Sequence, residues 1–195
     1  MRDPIPLETE NGLYLTDLEL FLDSRRSREN GFVSHAHADH FGRHENILCS
    51  EPTAHLLKAR YNVADERLNP HPFHEPLEVG PFRLQLLPAG HIYGSAMLHV
   101  TRKSDGESLL YTGDFKVHRS LTAEEPVFRR ADTLVMETTF GAPKWIFPGE
   151  NEITGMILNF VNQSLEEGVV PALLAYSLGK AQEVQAILTR SGIPA

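Results

Sequence analysis

Residues 35 to 40 read His-Ala-His-Ala-Asp-His and follow directly on the short apolar run Gly31-Phe32-Val33-Ser34. Three imidazoles and one carboxylate in six positions, spaced by alanines too small to obstruct them, make a poor core and a poor solvent face. They make a good metal site. In extended or tightly turned backbone alternate side chains point the same way. His35 and His37 can therefore converge on one cation while Asp39 and His40, beyond the bend, reach a second. Neutral imidazole and carboxylate suit zinc, and also manganese or iron. The bland alternative is a histidine-rich surface loop that binds metal loosely. Neither the strand-like lead-in nor the aspartate before the last histidine is needed for that.

The rest of the chain must supply a rigid frame for this motif, and 195 residues with 41% hydrophobic side chains hold enough apolar material for one sizeable core. No run of 18 or more apolar residues occurs and no charged-then-apolar leader, so nothing in the sequence suggests membrane insertion or export. The single cysteine, Cys49, can form no internal disulfide, which fits a reducing cytoplasm and the role of a small buried residue. A formal net charge of −8 argues against binding nucleic acid by bulk charge. It does not exclude a nuclease, because two divalent cations add about +4 locally and draw a phosphate by themselves. The local basic clusters, Arg25, Arg26 and Arg28 and then Arg129 and Arg130, read as solvated faces.

Further chemistry-bearing residues stand where strands enter loops. Leu7-Glu8-Thr9, the Asn11-Gly12 turn and Leu13-Tyr14-Leu15 form a hairpin signal. Glu19 to Leu22 is a strand ending at Asp23, which can orient a ligand histidine through its second ring nitrogen. Glu51-Pro52-Thr53 opens a helix through about Arg60, with proline allowed in the first turn. Residues 68 to 76, with three prolines, His71 and His74, read as an irregular loop. Pro81 to Leu87 alternates as a strand and delivers Gly90-His91, where the flanking glycines Gly90 and Gly94 free the backbone to turn sharply. Met97 to Val100 is a strand. Leu109-Leu110-Tyr111 is another, running into Thr112-Gly113-Asp114. Ligands on loops carried by a rigid sheet are the usual construction of a catalytic site.

The set HAHADH at 35 to 40, GHIYGSA at 90 to 96 and YTGDF at 111 to 115, in that order, resembles the metallo-β-lactamase superfamily. The resemblance implies an α/β (α+β) fold, an αββα sandwich of two mixed sheets with a dinuclear metal site at one edge. It implies that His35, His37 and His91 hold one divalent ion, that Asp39 and His40 hold the other, and that Asp114 bridges them; zinc is the expected metal and manganese the alternative. Thr133 to Gly141 around Glu137 resembles the acidic strand-end motif of the nucleic-acid-processing branch called β-CASP, and Tyr176 to Glu183 resembles the strand-to-helix turn of that branch's inserted domain. Within the branch the sequence is similar to ligase-associated DNA exonucleases and to mRNA 3′-end processing-like nucleases. The implied domains are residues 1–145, metallo-β-lactamase-like with its closing strands absent, and 146–195, the beginning of the inserted β-CASP α/β domain.

The last fifty residues fit an α/β unit. Ile153, Met156, Ile157, Phe160, Val161 and Leu165 recur at helical spacing up to Gly168, Val169 to Tyr176 reads as an apolar strand, and Ala181, Val184, Ile187 and Leu188 form a second helical face. By the resemblance, Asp39 and Glu137 are the catalytic carboxylates, Glu137 positioning a histidine acid that is not recognisable before Ala195. Ser177, Gly179 and Lys180 are the substrate-side residues. The family's second ion takes one further histidine, and neither His99 nor His118 has its context, so the 195 residues are expected to be incomplete. The expected function is metal-dependent phosphodiester hydrolysis of DNA or RNA by a cytoplasmic exonuclease in repair or processing, with nucleic acid as partner, a DNA ligase and helicase as associates, and no membrane. Two readings compete: a hydrolase of small thioesters, lactones or amides, and a metal-binding fragment without turnover.

Overall fold

The structure, a computed structural model, describes residues 2–194. They divide into two compact units, Met1–Glu137 and Thr138–Ala195, each described by itself.

The first unit is built on two mixed sheets. One carries β1 (Leu7–Glu8), β2 (Leu13–Leu15), β3 (Leu20–Leu22), β4 (Asn30–Phe32), β5 (Asn46–Ser50) and β6 (Leu68–His71), in that spatial order. β1 to β3 pair antiparallel, and β3 to β6 pair parallel. The other sheet has the order β11 (Thr133–Val135), β10 (Ser108–Tyr111), β9 (Ala96–Arg102), β8 (Phe82–Pro88) and β7 (Pro76–Val79), with only the β10–β11 pair parallel. Alternation decides which side chains enter the core. Leu15, Leu20, Leu22 and Phe32 of the first sheet meet Phe82, Leu84, Leu86, Leu98, Val100, Leu109 and Tyr111 of the second in one buried cluster. The two sheets therefore pack face to face.

Helix α1 (Glu51–Tyr61) lies against β5 and β6. It buries Thr53, Ala54 and Leu57, and starts where the Ser50 hydroxyl accepts the Thr53 N–H at 3.1 Å, an N-cap followed by proline in the first turn. The second sheet buries residues on its other face as well. Leu87, Ala89, Met97 and Leu110 pack there under Phe115 and Ala131.

Two expectations need correction. Residues 68 to 76 are not an irregular loop throughout: β6 pairs parallel with β5 from Leu68 to His71, and β7 begins at Pro76. Prolines are tolerated because both strands are sheet edges, where one side needs no donor. Val169 to Tyr176 is not a strand. No ladder partner for it exists among the described residues, and Val170 and Leu174 stand exposed. The second unit otherwise holds α2 (Glu150–Glu166) and α3 (Lys180–Arg190), which bury Val161 and Leu188. Among the described residues no helix is long and apolar enough to cross a membrane.

Candidate metal centre

The residues after β4 continue its direction for a short distance, and the Val33 N–H still reaches the Leu48 carbonyl at 2.9 Å. The chain then turns, with the His40 N–H on the His37 carbonyl at 3.2 Å. Ser34 is the junction. Its carbonyl accepts the Ala96 N–H at 2.8 Å, which ties the histidine loop to the start of β9 in the opposite sheet. Beside it, Gly113 has φ +52°, and a Cβ there would stand 2.6 Å from Ser34 Cβ and Oγ. Only glycine lets the Asp114 loop come this close.

The His91 loop is fixed as firmly. Ser95 Oγ accepts the N–H groups of His91 and Ile92 at 3.0 and 3.2 Å. The Gly94 carbonyl accepts the hydroxyls of Ser50 and Thr53 at 2.6 and 2.9 Å, while its N–H donates to the Glu124 carboxylate at 2.8 Å. Gly94 has φ +82°, and a Cβ would collide with the Thr53 backbone nitrogen at 2.8 Å. The N-cap of α1 thus also anchors the loop that carries His91.

These loops bring five of the expected residues together. His35 Nε2 and His37 Nδ1 lie 2.9 Å apart, and His91 Nε2 is 3.4 Å from the same His37 nitrogen. His40 Nε2 lies 3.5 Å from Asp114 Oδ1, and His91 Nε2 3.8 Å from Asp114 Oδ2. Two triplets converge, His35–His37–His91 and His35–His40–Asp114, the ligand atoms of each within 4.8 Å of one another. Asp39 stands outside both triplets. Its carboxylate is 3.8 Å from His40 Nε2 with its side chain 70% exposed.

Asp23 supports this cluster from behind. Its carboxylate accepts the Ser34 N–H at 2.7 Å, the Ser34 hydroxyl at 2.6 Å and the Tyr111 hydroxyl at 2.7 Å, and lies 3.0 Å from His40 Nδ1. Because Ser34 Oγ spends its single proton on Asp23, it can only accept from His35 Nδ1, 2.9 Å away. This network puts the ring proton on Nδ1 of both His35 and His40. Their Nε2 lone pairs then face the cluster.

Electrostatics favour a cation. Burial, with the neighbouring His40, His91 and His37, drives the His35 pKa far below its ordinary value, so the ring is neutral. Burial opposes charge on His40, but the hydrogen bond and charge of Asp23, with Asp114 and Asp39, outweigh it and raise its pKa. Asp114 is raised by burial, and by Glu137, Asp23 and Asp39 against the opposing His40. The buried Asp114 has His40 as its positive neighbour while the His35 ring stays neutral, and a divalent ion taking the place of the His40 charge is a group this donor set fits.

Glu137 follows β11 by two residues, and its N–H lies 3.4 Å from Thr112 Oγ1. The substrate-side candidates belong to the second unit. Gly179, with φ +94°, caps α3, and its N–H donates to Gln182 Oε1 at 2.7 Å. The Ser177 carbonyl accepts from Gln182 Nε2, and Lys180 Nζ lies 4.9 Å from the Tyr176 ring centroid. Of the basic clusters, Arg28 packs its guanidinium 4.0 Å over Phe21, and Arg129 bonds Gln85. Sequence reasoning missed Ser34, Tyr111 and Glu124. Tyr111 shares its strand parity with core-facing Leu109, which is a legible signal; Glu124 offers none.

No protein-family model matches the chain. It is 40% identical to a protein of Opitutus terrae named "Probable DNA ligase", over 98% of this chain and 19% of that protein. It is 30% identical to the "Transcription termination factor FttA" of Methanothermobacter thermautotrophicus, over 92% of this chain and 34% of that one. An "RNase J-like protein" of Methanocaldococcus jannaschii is 27% identical over 96% of this chain and 52% of its own length. These alignments span 92 to 98% of the chain. The chain belongs to the β-CASP branch of the metallo-β-lactamase superfamily. It spans between about a fifth and a half of the length of these β-CASP relatives.

Proposed function

We propose that the protein is a metal-dependent phosphodiester hydrolase of nucleic acid, acting as an exonuclease in cytoplasmic DNA repair or RNA processing. The observation that carries this reading is Glu137, the acid two residues beyond β11 whose charge acts on Asp114. The three relatives support it, since each printed name concerns a nucleic acid or its processing. Residues 146–195 are proposed to begin the inserted β-CASP domain. The relative named as a DNA ligase supports placing the activity beside a ligase, and the family resemblance adds a helicase to the proposal.

Two divalent ions, zinc or else manganese, would be held by His35, His37, His91, His40, Asp39 and Asp114, and would supply activation of water and neutralisation of the phosphate charge. The protein's own groups do the rest. Ser34 and Asp23 hold Nδ1 of His35 and His40, which leaves Nε2 of both rings turned toward the cluster. Tyr111 keeps its proton, since burial and the adjacent Asp23 push its pKa up, and it holds the Asp23 carboxylate in place. Glu137 acts as a positioning residue for the acid that protonates the leaving oxygen. Ser177, Gly179 and Lys180 bind the substrate backbone.

The test compares hydrolysis of a labelled oligonucleotide, bis(4-nitrophenyl) phosphate and a thioester. Cleavage of both phosphodiesters, with Glu137→Gln keeping its metal and losing about 10² in rate, is the expected result. Thioester turnover without phosphodiester cleavage would replace this reading with a small-molecule hydrolase.

A further inference from the structure

Residues 138 to 149 expose an unusual amount of aromatic surface. Phe140 is 57% exposed, Trp145 45% and Phe147 59%, and Ile146 between the last two stands 87% exposed. The rings form an ordered cluster nonetheless. Trp145 and Phe147 lie parallel within 6°, their centroids 6.3 Å apart, and Phe140 meets both edge-on at 5.6 and 5.1 Å. The backbone beneath is turned twice, by the Gly141 N–H on the Thr138 carbonyl and by the Trp145 N–H on the Ala142 carbonyl, both at 3.0 Å. Pro143 and Pro148 stiffen it further. Lys144 Nζ sits 5.1 Å from the Trp145 ring centroid.

An exposed apolar patch of this size marks a binding surface, and its chemistry selects the occupant. Two parallel ring faces braced by a third, with a cation on the same turn, match single-stranded nucleic acid. Successive bases of a single strand are themselves parallel plates, stacking tolerates any base, and an ammonium at the rim reaches the phosphate. The charge of the whole chain is −8, so a local aromatic platform can hold a strand where bulk charge cannot. The segment also follows Glu137 directly, with only Thr138 and Thr139 before Phe140.

We propose that Phe140, Trp145 and Phe147 form a stacking platform for unpaired bases of the substrate, with Lys144 taking an adjacent phosphate. This rests on the nuclease reading and specifies how the substrate is held. It makes the enzyme one that engages single-stranded ends or tails rather than intact duplex.

Trp145 is the only tryptophan of the chain, so its fluorescence reports the platform directly. The probes are a cleavage-resistant phosphorothioate oligodeoxythymidylate and an abasic oligomer of equal length and charge, added to the protein in its metal-loaded form. The expected result is that Trp145 is quenched by acrylamide in the free protein. The thymidylate oligomer should quench its emission and protect it from acrylamide, and the abasic one should not. Trp145→Ala weakens thymidylate binding about tenfold or more, while Trp145→Phe restores most of it. Metal content and thermal melting stay close to native in both variants, which shows that they fold. Cleavage of oligonucleotides with unaltered Trp145 emission and equal affinity in Trp145→Ala would overturn the platform and leave the nuclease reading intact. Acrylamide protection of Trp145 in the free protein would overturn it too, showing that protein covers the rings. Failure to bind or cleave any oligonucleotide would remove the nuclease reading and the platform with it.

Discussion

Replacing Asp23 by asparagine changes one atom and tests the logic of the whole cluster. In the native arrangement Asp23 Oδ2 takes the Ser34 hydroxyl at 2.6 Å, the Tyr111 hydroxyl at 2.7 Å and His40 Nδ1 at 3.0 Å, while Oδ1 takes the Ser34 N–H at 2.7 Å. The asparagine carbonyl can keep the Ser34 N–H, but its amide nitrogen then faces three donors. The two hydroxyls can rotate and accept from it; His40 cannot, and must move its proton to Nε2, the atom that faces Asp114. Once Ser34 accepts from the amide, its freed proton turns toward His35 Nδ1 and pushes that ring the same way. Losing such an orienting partner costs about 10- to 100-fold in metal affinity, roughly 1.4 to 2.7 kcal/mol. The Asp23 side chain is 5% exposed, so solvent screens little of this. The loss of a charge-assisted bond should also lower metal-free stability by about 1.5–3 kcal/mol. Competition titration with a chromophoric zinc chelator measures the first quantity and chelator-treated thermal melts the second. Tyr111→Phe is the control: it removes a donor to the same carboxylate but leaves both ring tautomers, so stability falls and zinc affinity holds. An Asp23→Asn protein with native affinity for both ions would refute the tautomer argument.

Three further outcomes follow from the geometry. The double variant His35→Ala, His37→Ala should lose at least one ion of two by elemental analysis, because both convergent triplets include His35; unchanged metal content would dismiss the cluster as a metal centre. His99 is buried, its Nε2 has no hydrogen-bond partner, and burial with nearby Arg129 lowers its pKa, so the unfolded chain takes up its proton first as pH falls. Folding stability is then full above about pH 6.5 and declines below it, and His99→Leu should flatten the decline relative to the native protein in melts at pH 6.5 and 5. Cys49 is fully buried and its thiol is pushed up to about 12 by burial, so maleimide should label it only after denaturation; labelling of the native protein at pH 8 would contradict that burial.

Much of the frame was legible because its strands alternate and its turns carry glycine. β8 alternates from Phe82 to Leu86, the hairpin of β1 and β2 turns at Asn11-Gly12, and α1 announces itself with serine and proline. The metal motif was legible because His35, His37 and His40 are close in sequence, and His91 and Asp114 were legible through their glycine-flanked strand ends. What escaped depends on partners far along the chain. β6 looks like a broken loop until β5 supplies its ladder, and Val169 to Tyr176 looks like a strand although nothing among the described residues pairs with it. The position of Asp39 outside both triplets, while Asp114 approaches His40 from the opposite sheet, turns on a loop crossing between sheets, which adjacency in sequence cannot express.

The spread of the ligand loops along the chain has a kinetic consequence. The cluster draws on residues from Asp23 to Asp114, and it exists only when Tyr111 of one sheet meets Asp23 of the other. Such long-range closure comes late in folding. His35, His37 and His40, in contrast, lie within six residues and can grip a zinc ion in the unfolded chain, where metal bound to histidines favours the wrong state. Zinc present from the start of refolding should therefore act as a brake, and zinc added after the two sheets have closed should bind without delay. Refolding after dilution from denaturant, with the metal supplied before or after, would show the two orders of addition giving different rates and the same final structure.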